Sequence, residues 1–331
     1  MLQGARLAVN RLSAAPDTKT YTPPMPRFLA FVLHLLACAL TRLPWPWLLR
    51  ATDAFAARAV RRQSREARVV RRNLELAYPD LLPTEREGWL HAIVQGTARQ
   101  ALETLRLWTR SPQRNLTRIR EQHGVALFEA ALKSGRGVII AAPHYGNWEL
   151  LNQWLASRTP LAILYAPPES AVTEAFLNRV RAAQGDADRV TQVRAEGPAV
   201  RQLFKLLKDG GVVGILPDQQ PKQGEGEFAP FFGQPALTMT LLGRLAARTG
   251  ATVLMAWCER VDARGAGPRY ALHFEPAPAA VADADPQQAV AALNAAVERI
   301  ARRDPAQYQW TYKRYSLQPD KQPNPYWPDC Y

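Results

Sequence analysis

Short apolar runs alternate with longer amphipathic stretches over the second half of the chain. The apolar runs occupy 137–142, 161–165, 189–193, 212–216, 252–258 and 270–275. Segments with helical periodicity separate most of them, at 171–184, 197–209, 236–249 and 286–303. Such alternation predicts an α/β domain with a central, mostly parallel sheet that is buried on both faces and flanked by helices.

The chain ahead of this region has a helical pattern from about residue 50 to residue 134. Pro83 and Thr84 resemble the start of a helix, and apolar positions recur among Arg and Glu over 85–109. These features predict a long amphipathic helix at 85–109 within an all-helical segment.

The N-terminal end divides into a polar part and an apolar part. Residues 1–27 are basic and carry four prolines (Pro16, Pro23, Pro24 and Pro26), which predicts a flexible segment without a helix. The apolar run 28–40 that follows is shorter than the roughly 20 residues that cross a bilayer. Trp45 and Trp47 come next, as at a membrane interface.

Three interpretations of the segment 28–50 remain: a membrane anchor, a buried core helix or a cleaved signal peptide. The signal peptide is disfavoured because no small-residue cleavage site precedes a disulfide-bearing domain. Arginines on both sides favour an anchor that lies in or spans the membrane: Arg27, Arg42, Arg50, Arg58, Arg61 and Arg62. We therefore predict an anchor at 28–50 and one catalytic α/β domain at 51–331.

The chain is strongly basic, with 42 Lys and Arg against 29 Asp and Glu and a formal net charge of +13. This excess indicates an anionic partner, whether nucleic acid, anionic lipid or an acidic carrier protein, although codon bias would also produce it. Nucleic acid is disfavoured because no helix-turn-helix, RNP block or zinc finger is present. Three widely separated cysteines, Cys38, Cys258 and Cys330, predict neither a disulfide framework nor a metal site.

The residues most suited to catalysis follow the first predicted strand. The run 137–142 ends at Pro143, and His144 lies where active sites gather in α/β sheets. Asn147 resembles a helix N-cap, which would place Glu149 in the first helical turn. A carboxylate that holds one ring nitrogen of His144 would leave the other nitrogen as a general base.

The spacing of this pair alone is common, and a structural histidine remains the alternative. The chain has no G-x-S-x-G elbow, so the base would deprotonate an alcohol on a bound acceptor. A metal site is disfavoured because no H-E-x-x-H motif is present and one His with one Glu is too few ligands for zinc.

Four blocks in order give this pair a context. They are Pro143–Glu149, Tyr165–Pro167 with Asn178–Arg181, Gly211–Gln220 with Phe228–Gly233, and Gln309–Arg314. Together they resemble the late acyltransferases of lipid A biosynthesis, in the lysophospholipid acyltransferase superfamily, over residues 28–316. The resemblance implies a glycerolipid acyltransferase-like fold and the transfer of a fatty acyl group from a thioester to a hydroxyl of a lipid A precursor.

The resemblance also implies roles for particular residues. His144 would be the general base and Glu149 its orienting partner, together the dyad of the HX4E motif. Arg181, or its neighbour Arg179, would bind a substrate phosphate or the oxyanion; a solvated helix face is the alternative for Arg181. Asp218 would fix that arginine or the acceptor, unless it is only a turn residue. Asn147 belongs with the substrate-binding residues.

The implied partners are an acyl carrier protein or coenzyme A thioester, a lipid acceptor and the inner membrane, with the catalytic domain on its cytoplasmic side. No metal or other cofactor is required. Ala166 replaces the arginine usual in the Tyr-Arg-Pro block, so a lysophospholipid, a glycolipid such as a mannoside, or an amino-acid lipid remains an alternative acceptor. A 1-acylglycerol-phosphate acyltransferase is disfavoured, since those enzymes usually have Asp at the position of Glu149 and an E-G-T-R block.

Overall fold

The computed structural model describes residues 24–165, 170–183, 189–194, 197–262 and 267–331, with only the backbone at 24, 181–183 and 197–199. The predicted flexible segment 1–27 therefore lies largely outside the described residues, as does Ala166.

Five helices precede the first strand: α1 (Pro24–Leu40), α2 (Trp45–Arg61), α3 (Arg65–Ala77), α4 (Pro83–Trp108) and α5 (Pro112–Leu116). The expectation that Pro24 and Pro26 prevent a helix is wrong, because α1 begins at Pro24. A proline fits the first helical turn, where the backbone N–H has no intrahelical partner. The long helix predicted at 85–109 is confirmed as α4.

Seven strands form the central sheet in the order β1-β9-β8-β2-β5-β3-β4. Their bounds are β1 (Ile119–His123), β2 (Val138–Ala141), β3 (Leu161–Tyr165), β4 (Val190–Arg194), β5 (Val212–Ile215), β8 (Thr252–Asp262) and β9 (Arg269–Pro276). Neighbouring strands are parallel except β8 and β9, which are antiparallel. The mostly parallel sheet is thus confirmed.

Strand β1 was missed by the sequence pattern, which is helical through residue 134. Of its residues Ile119 alone is buried, and the other four are exposed. An edge strand with one apolar residue has no alternation to reveal it, and β1 exists because it pairs with β9.

A second departure lies between β5 and β8. The predicted helix 236–249 begins only at α10 (Leu241–Thr249), because its first residues belong to an antiparallel hairpin of β6 (Gly226–Phe231) and β7 (Gln234–Met239). Phe232 and Gly233 form the turn with φ of 50° and 73°, in the left-handed region. The pairing with β6, which periodicity does not show, decides the conformation here.

The remaining helices are α6 (Val125–Ser134), α7 (Trp148–Arg158), α8 (Ala171–Ala183), α9 (Gly197–Lys208) and α11 (Pro286–Ala301). Three short 3₁₀ turns lie at Ala279–Ala282, Pro305–Gln307 and Pro319–Lys321.

Residues of β2 alternate between two cores. Ile139 and Ala141 belong to one core, with residues of α2, α3, α9, α10 and α11. Val138 and Ile140 belong to the other, with residues of α6 and α7 and the end of α4. Burial on both faces explains why the central strands are continuous apolar runs.

The N-terminal helices leave many apolar side chains exposed, among them Phe28, Leu36, Trp47 and Phe55. Within the described part of the chain, no single helix is long and apolar enough to cross a membrane. The pair Met25–Leu40 and Trp45–Arg61 reaches that length and hydropathy together, but it is bent by 114°.

Candidate active site

His144 and Asp218 meet at the carboxyl edge of the sheet. His144 follows β2, Asp218 follows β5, and these two strands are parallel neighbours. Because the carboxyl ends of adjacent parallel strands lie side by side, two residues 74 positions apart come into contact.

Both carboxylate oxygens of Asp218 are bonded to the same residue. Oδ1 lies 2.7 Å from the ring Nδ1 of His144, and Oδ2 accepts the backbone N–H of His144 at 2.8 Å. Burial alone would raise the pKa of Asp218, but the positive charge that the His144 ring carries when it is protonated and the hydrogen bonds from its ring and backbone outweigh burial and lower that pKa. Asp218 is therefore an ionised acceptor, and Nδ1 carries the proton.

The second ring nitrogen of His144, Nε2, is left as a hydrogen-bond acceptor. With the proton on Nδ1, Nε2 has a free lone pair, and the side-chain amide nitrogen of Gln219 lies 3.2 Å from it. Trp148 packs edge-to-face on the imidazole at 5.0 Å between ring centroids. His144 is 8% exposed, and these contacts hold its ring in one orientation.

The loop between His144 and α7 has one conformation that only glycine permits. Gly146 has a φ of 60°, and a Cβ there would lie 2.1 Å from the carbonyl oxygen of Cys258. The next backbone N–H, of Asn147, donates to that same carbonyl at 2.7 Å. The carbonyl of His144 accepts from the N–H of Gln309 at 3.0 Å. Gln309, in the last of the four sequence blocks, thus fixes the backbone of His144 in the first block.

Glu149 lies in the first turn of α7, as predicted, and Asn147 caps that helix by accepting the N–H of Leu150 at 3.1 Å. The indole N–H of Trp108, at the end of α4, donates to Oε2 of Glu149 at 3.3 Å. The carboxylate on Nδ1 of His144 is Asp218, a pairing that sequence reasoning missed. The part that Glu149 plays in catalysis stays a prediction.

The residues assigned to substrate binding have different surroundings. Asp218 contacts His144, and its expected part in fixing an arginine or the acceptor stays a prediction. Asn147 is buried, and its amide lies 3.4 Å from the hydroxyl of Tyr270. The guanidinium of Arg179 lies over the ring of Phe31 in α1, 4.5 Å from its centroid. Arg181 belongs to α8, but its side chain lies outside what the structure describes.

Tyr308 is another site residue that the sequence did not indicate. Burial raises its pKa, and so does the neighbouring charge of Asp218, to which its side chain is hydrogen-bonded. Asp218 follows a predicted strand, as His144 does, and this shared position is the sequence signal from which their pairing could have been found. Only the strand order makes the two residues neighbours.

Nowhere in the residues that the structure describes do three or more His, Cys, Asp or Glu side chains gather closely enough to hold a metal ion. The site that is described is an imidazole with an ionised carboxylate on Nδ1 and the side-chain amide of Gln219 beside Nε2. This arrangement can remove a proton from a hydroxyl group.

Comparison with known proteins agrees with this chemistry. The model of the family "Bacterial lipid A biosynthesis acyltransferase" matches residues 20–316. The lipid A biosynthesis lauroyltransferase of Escherichia coli (strain K12) is 26% identical over 288 residues, covering 86% of this chain and 90% of that protein. The palmitoleoyltransferase of the same organism is 26% identical over 282 residues, with 84% and 88% covered.

A shorter match joins the chain to another acyltransferase. The phosphatidylinositol mannoside acyltransferase of Mycobacterium tuberculosis (strain ATCC 25618 / H37Rv) is 29% identical over 138 residues, which cover 41% of this chain and 42% of that protein. All these relatives are acyltransferases, and so is this protein. Since the family model spans most of its length, the chain belongs to the bacterial lipid A biosynthesis acyltransferase family, which confirms the resemblance.

Proposed function

We propose that this protein transfers a fatty acyl group from an acyl carrier protein thioester, or from coenzyme A, to a hydroxyl of a lipid A precursor. The observation that carries the mechanism is the 2.7 Å contact between Nδ1 of His144 and Asp218. It leaves Nε2 of the same ring as the proton acceptor. The family membership supports the acyl group and the acceptor.

The reaction begins when the acceptor hydroxyl takes the place of the Gln219 amide at Nε2 of His144. As the hydroxyl oxygen attacks the thioester carbonyl carbon, its proton passes to Nε2 and a tetrahedral oxyanion forms. The oxyanion then collapses, the carbon–sulfur bond breaks, and the imidazolium returns the proton to the leaving thiolate. The products are an ester and a free thiol, and His144 is again neutral.

Two carboxylates would stabilise the imidazolium that forms on the way. Asp218 does so through its hydrogen bond with Nδ1, in the role that an aspartate has beside a catalytic histidine in serine hydrolases. Glu149 is proposed as the second, held by the indole of Trp108. A positioned base of this kind contributes roughly 10²–10⁴-fold in rate. We retain Arg181 as the candidate that stabilises the oxyanion.

Membrane association is part of the proposal. The exposed apolar side chains of α1 would enter the bilayer, and the net charge of +13 favours anionic headgroups and an acidic carrier protein. The site would then act on the cytoplasmic side of the inner membrane. Recovery of the full chain in the soluble fraction without detergent would contradict this part.

The test is an assay of the purified full chain with acyl carrier protein thioesters and a Kdo-bearing tetra-acylated lipid A precursor. We expect ester formation by the wild type and its loss in His144→Ala. The exposed arginine change Arg201→Gln on α9 is the control, since Arg201 takes no part in the hydrogen bonds of His144 and Asp218. Full activity of His144→Ala would contradict the mechanism.

A glycolipid acceptor of the mannoside type is a second candidate, favoured by the match to the mycobacterial enzyme. The same assay with a phosphatidylinositol mannoside and with a lysophospholipid distinguishes the acceptors. Activity confined to either of these lipids would contradict the lipid A assignment and leave the His144 mechanism standing.

A further inference from the structure

Four arginines converge beside the candidate active site. Arg106 belongs to α4, Arg110 follows it, Arg114 belongs to α5, and Arg118 immediately precedes β1. They line one pocket that is partly open to solvent. We call these four residues the arginine pocket. Their regular spacing along a helix, a turn and a second helix brings four positive charges to one concave surface.

The guanidinium groups of Arg106 and Arg118 both lie close to Gly267. A Cβ added to Gly267 would lie 2.9 Å from Nη1 of Arg106 and 3.2 Å from Nη1 of Arg118. Gly267 thus leaves room for both side chains at the pocket wall. The guanidinium of Arg106 also lies 4.7 Å from the centroid of the Trp45 ring, which fixes its plane.

Burial and the neighbouring guanidinium charges lower the pKa of three of these arginines, because each positive charge disfavours the others. Burial, together with the charges of Arg110 and Arg118, lowers the pKa of Arg106 to about 10. The pKa of Arg110 and that of Arg118 are lowered as well, first by burial and then by neighbouring arginines. Such a concentration of positive charge in a partly desolvated concave surface attracts anions strongly.

The carboxylate in the pocket wall is already engaged. Glu103 is 1% exposed, and its oxygens lie 2.8 Å from Nε of Arg260 and 2.9 Å from the hydroxyl of Tyr270. Burial raises the pKa of Glu103. The pocket lining thus contains four arginines and this one carboxylate, which is already bonded to Arg260 and Tyr270.

The pocket adjoins the catalytic loop. Tyr270 in its wall contacts Asn147 of that loop at 3.4 Å, and Trp108, two residues beyond Arg106, donates to Glu149. Because β9 is antiparallel to β8 and β1 is parallel to β9, the start of β1 lies at the same edge of the sheet as the end of β2. Tyr270 would therefore contact both a group bound in the pocket and Asn147 of the catalytic loop.

We propose that the arginine pocket binds a phosphate group, by charge-assisted hydrogen bonds from several guanidinium groups. Guanidinium planes suit phosphate because their N–H groups match its oxygens in pairs. Binding of the phosphate itself is independent of the proposed function. That the phosphate belongs to a substrate rests on the proposed function.

The first experiment measures binding without activity. Thermal unfolding of the full chain in detergent is followed with increasing inorganic pyrophosphate at constant ionic strength. A ligand that binds the native state raises the Tm. We expect this rise in the wild type and an apparent Kd at least about tenfold weaker in the double variant Arg110→Gln/Arg114→Gln, which loses several charge-assisted bonds.

The matched control is Arg201→Gln/Arg244→Gln. It removes the same charge from two exposed arginines, one on α9 and one on α10. These helices pack on the core that contains Ile139, whereas Leu107 and Tyr270 of the pocket belong to the core that contains Val138. We expect the control to keep the wild-type rise. Equal rises in the wild type and both variants, or no rise in the wild type, would overturn the proposal.

The second experiment separates the sources of the phosphate. A higher KM for the phosphorylated acceptor in the Arg110/Arg114 variant, with no change for a dephosphorylated acceptor, supports a substrate phosphate. A lipid headgroup is supported if the KM values are unchanged and the variant floats less than the wild type with phosphatidylglycerol vesicles but equally with phosphatidylcholine vesicles. If neither changes, the pocket holds an adventitious ion only and the functional part of the proposal fails. A wild type without acyl transfer but with the pyrophosphate effect contradicts the proposed function alone.

Discussion

The two carboxylates that flank the catalytic loop are held in different ways. Asp218 is 4% exposed, lies at a strand end, and has both oxygens bonded to His144. Glu149 lies in the first turn of α7, is partly exposed, and accepts the indole N–H of Trp108. The carboxylate near in sequence is thus held by a neighbouring helix, and the one distant in sequence is bonded directly to the imidazole.

The two carboxylates also differ in what makes their positions rigid. The ends of β2 and β5 are fixed by a continuous ladder of backbone hydrogen bonds, so the geometry of His144 and Asp218 is set before substrate binds. The geometry of Glu149 depends on the packing of α4 against α7. Substitutions of His144, Asp218, Glu149 and Trp108 would therefore reduce activity to different extents.

Replacement of His144 removes the residue on which both carboxylates would act. For His144→Ala we expect kcat to fall by about 10³-fold or more, since the general base is lost. The measurement is the steady-state rate of ester formation, with circular dichroism to verify folding. After this change, removal of either carboxylate should cost little further activity, and a large additional loss would show that the carboxylates act independently of the base.

Asp218→Asn tests the carboxylate bonded directly to the ring. The Asn amide would donate to Nδ1 and leave the proton on Nε2, so we expect kcat to fall by about 10²–10³-fold with KM little changed. Asp218→Glu, which keeps the charge, is the control and should retain more activity. Equal activity of Asp218→Asn and the wild type would remove Asp218 from the mechanism.

The same variant has a second readout in its stability. The pKa of Asp218 lies below the ordinary 3.8, so the ionised carboxylate stabilises the fold above that value, and this contribution is lost as the pH falls through the folded pKa. At neutral pH we expect Asp218→Asn to lower the free energy of unfolding by about 1–3 kcal/mol. Chemical denaturation should show this difference shrinking below pH about 4.

Glu149→Gln tests the second carboxylate with the shape of the side chain retained. We expect kcat to fall by about 10–10²-fold, less than for Asp218→Asn, because Glu149 would stabilise the imidazolium without the bond to Nδ1. The two variants are compared under identical conditions. A greater loss in Glu149→Gln than in Asp218→Asn would reverse the ranking and make Glu149 the dominant partner.

Trp108→Phe should have the smallest effect. It removes the indole N–H that Glu149 accepts but keeps an aromatic ring against Phe176, whose centroid lies 6.0 Å away. Loss of one hydrogen bond to a charged group predicts a fall in kcat of about 3–10-fold. In the background of Glu149→Gln the same change should be nearly silent, and an undiminished effect would show that Trp108 acts elsewhere.

The sequence was sufficient for features that repeat locally. The apolar runs that became β2 and β5 are buried along their whole length, so every residue has the same environment. The bounds of these strands and of β3 were predicted within a residue or two. The N-cap at Asn147 and the place of Glu149 in the first turn of α7 are local as well. The family followed from four blocks of residues whose order and spacing the chain carries by itself.

Features that depend on pairing between distant segments were set by the tertiary structure alone. Strand β1 and the hairpin of β6 and β7 arise from hydrogen bonds to partners that no local pattern specifies. The bond from His144 to Asp218 requires β2 and β5 to be adjacent, and the arginine pocket requires α4, α5 and the start of β1 to meet. Periodicity records the burial of each element, whereas strand order and helix packing determine which side chains meet at its ends.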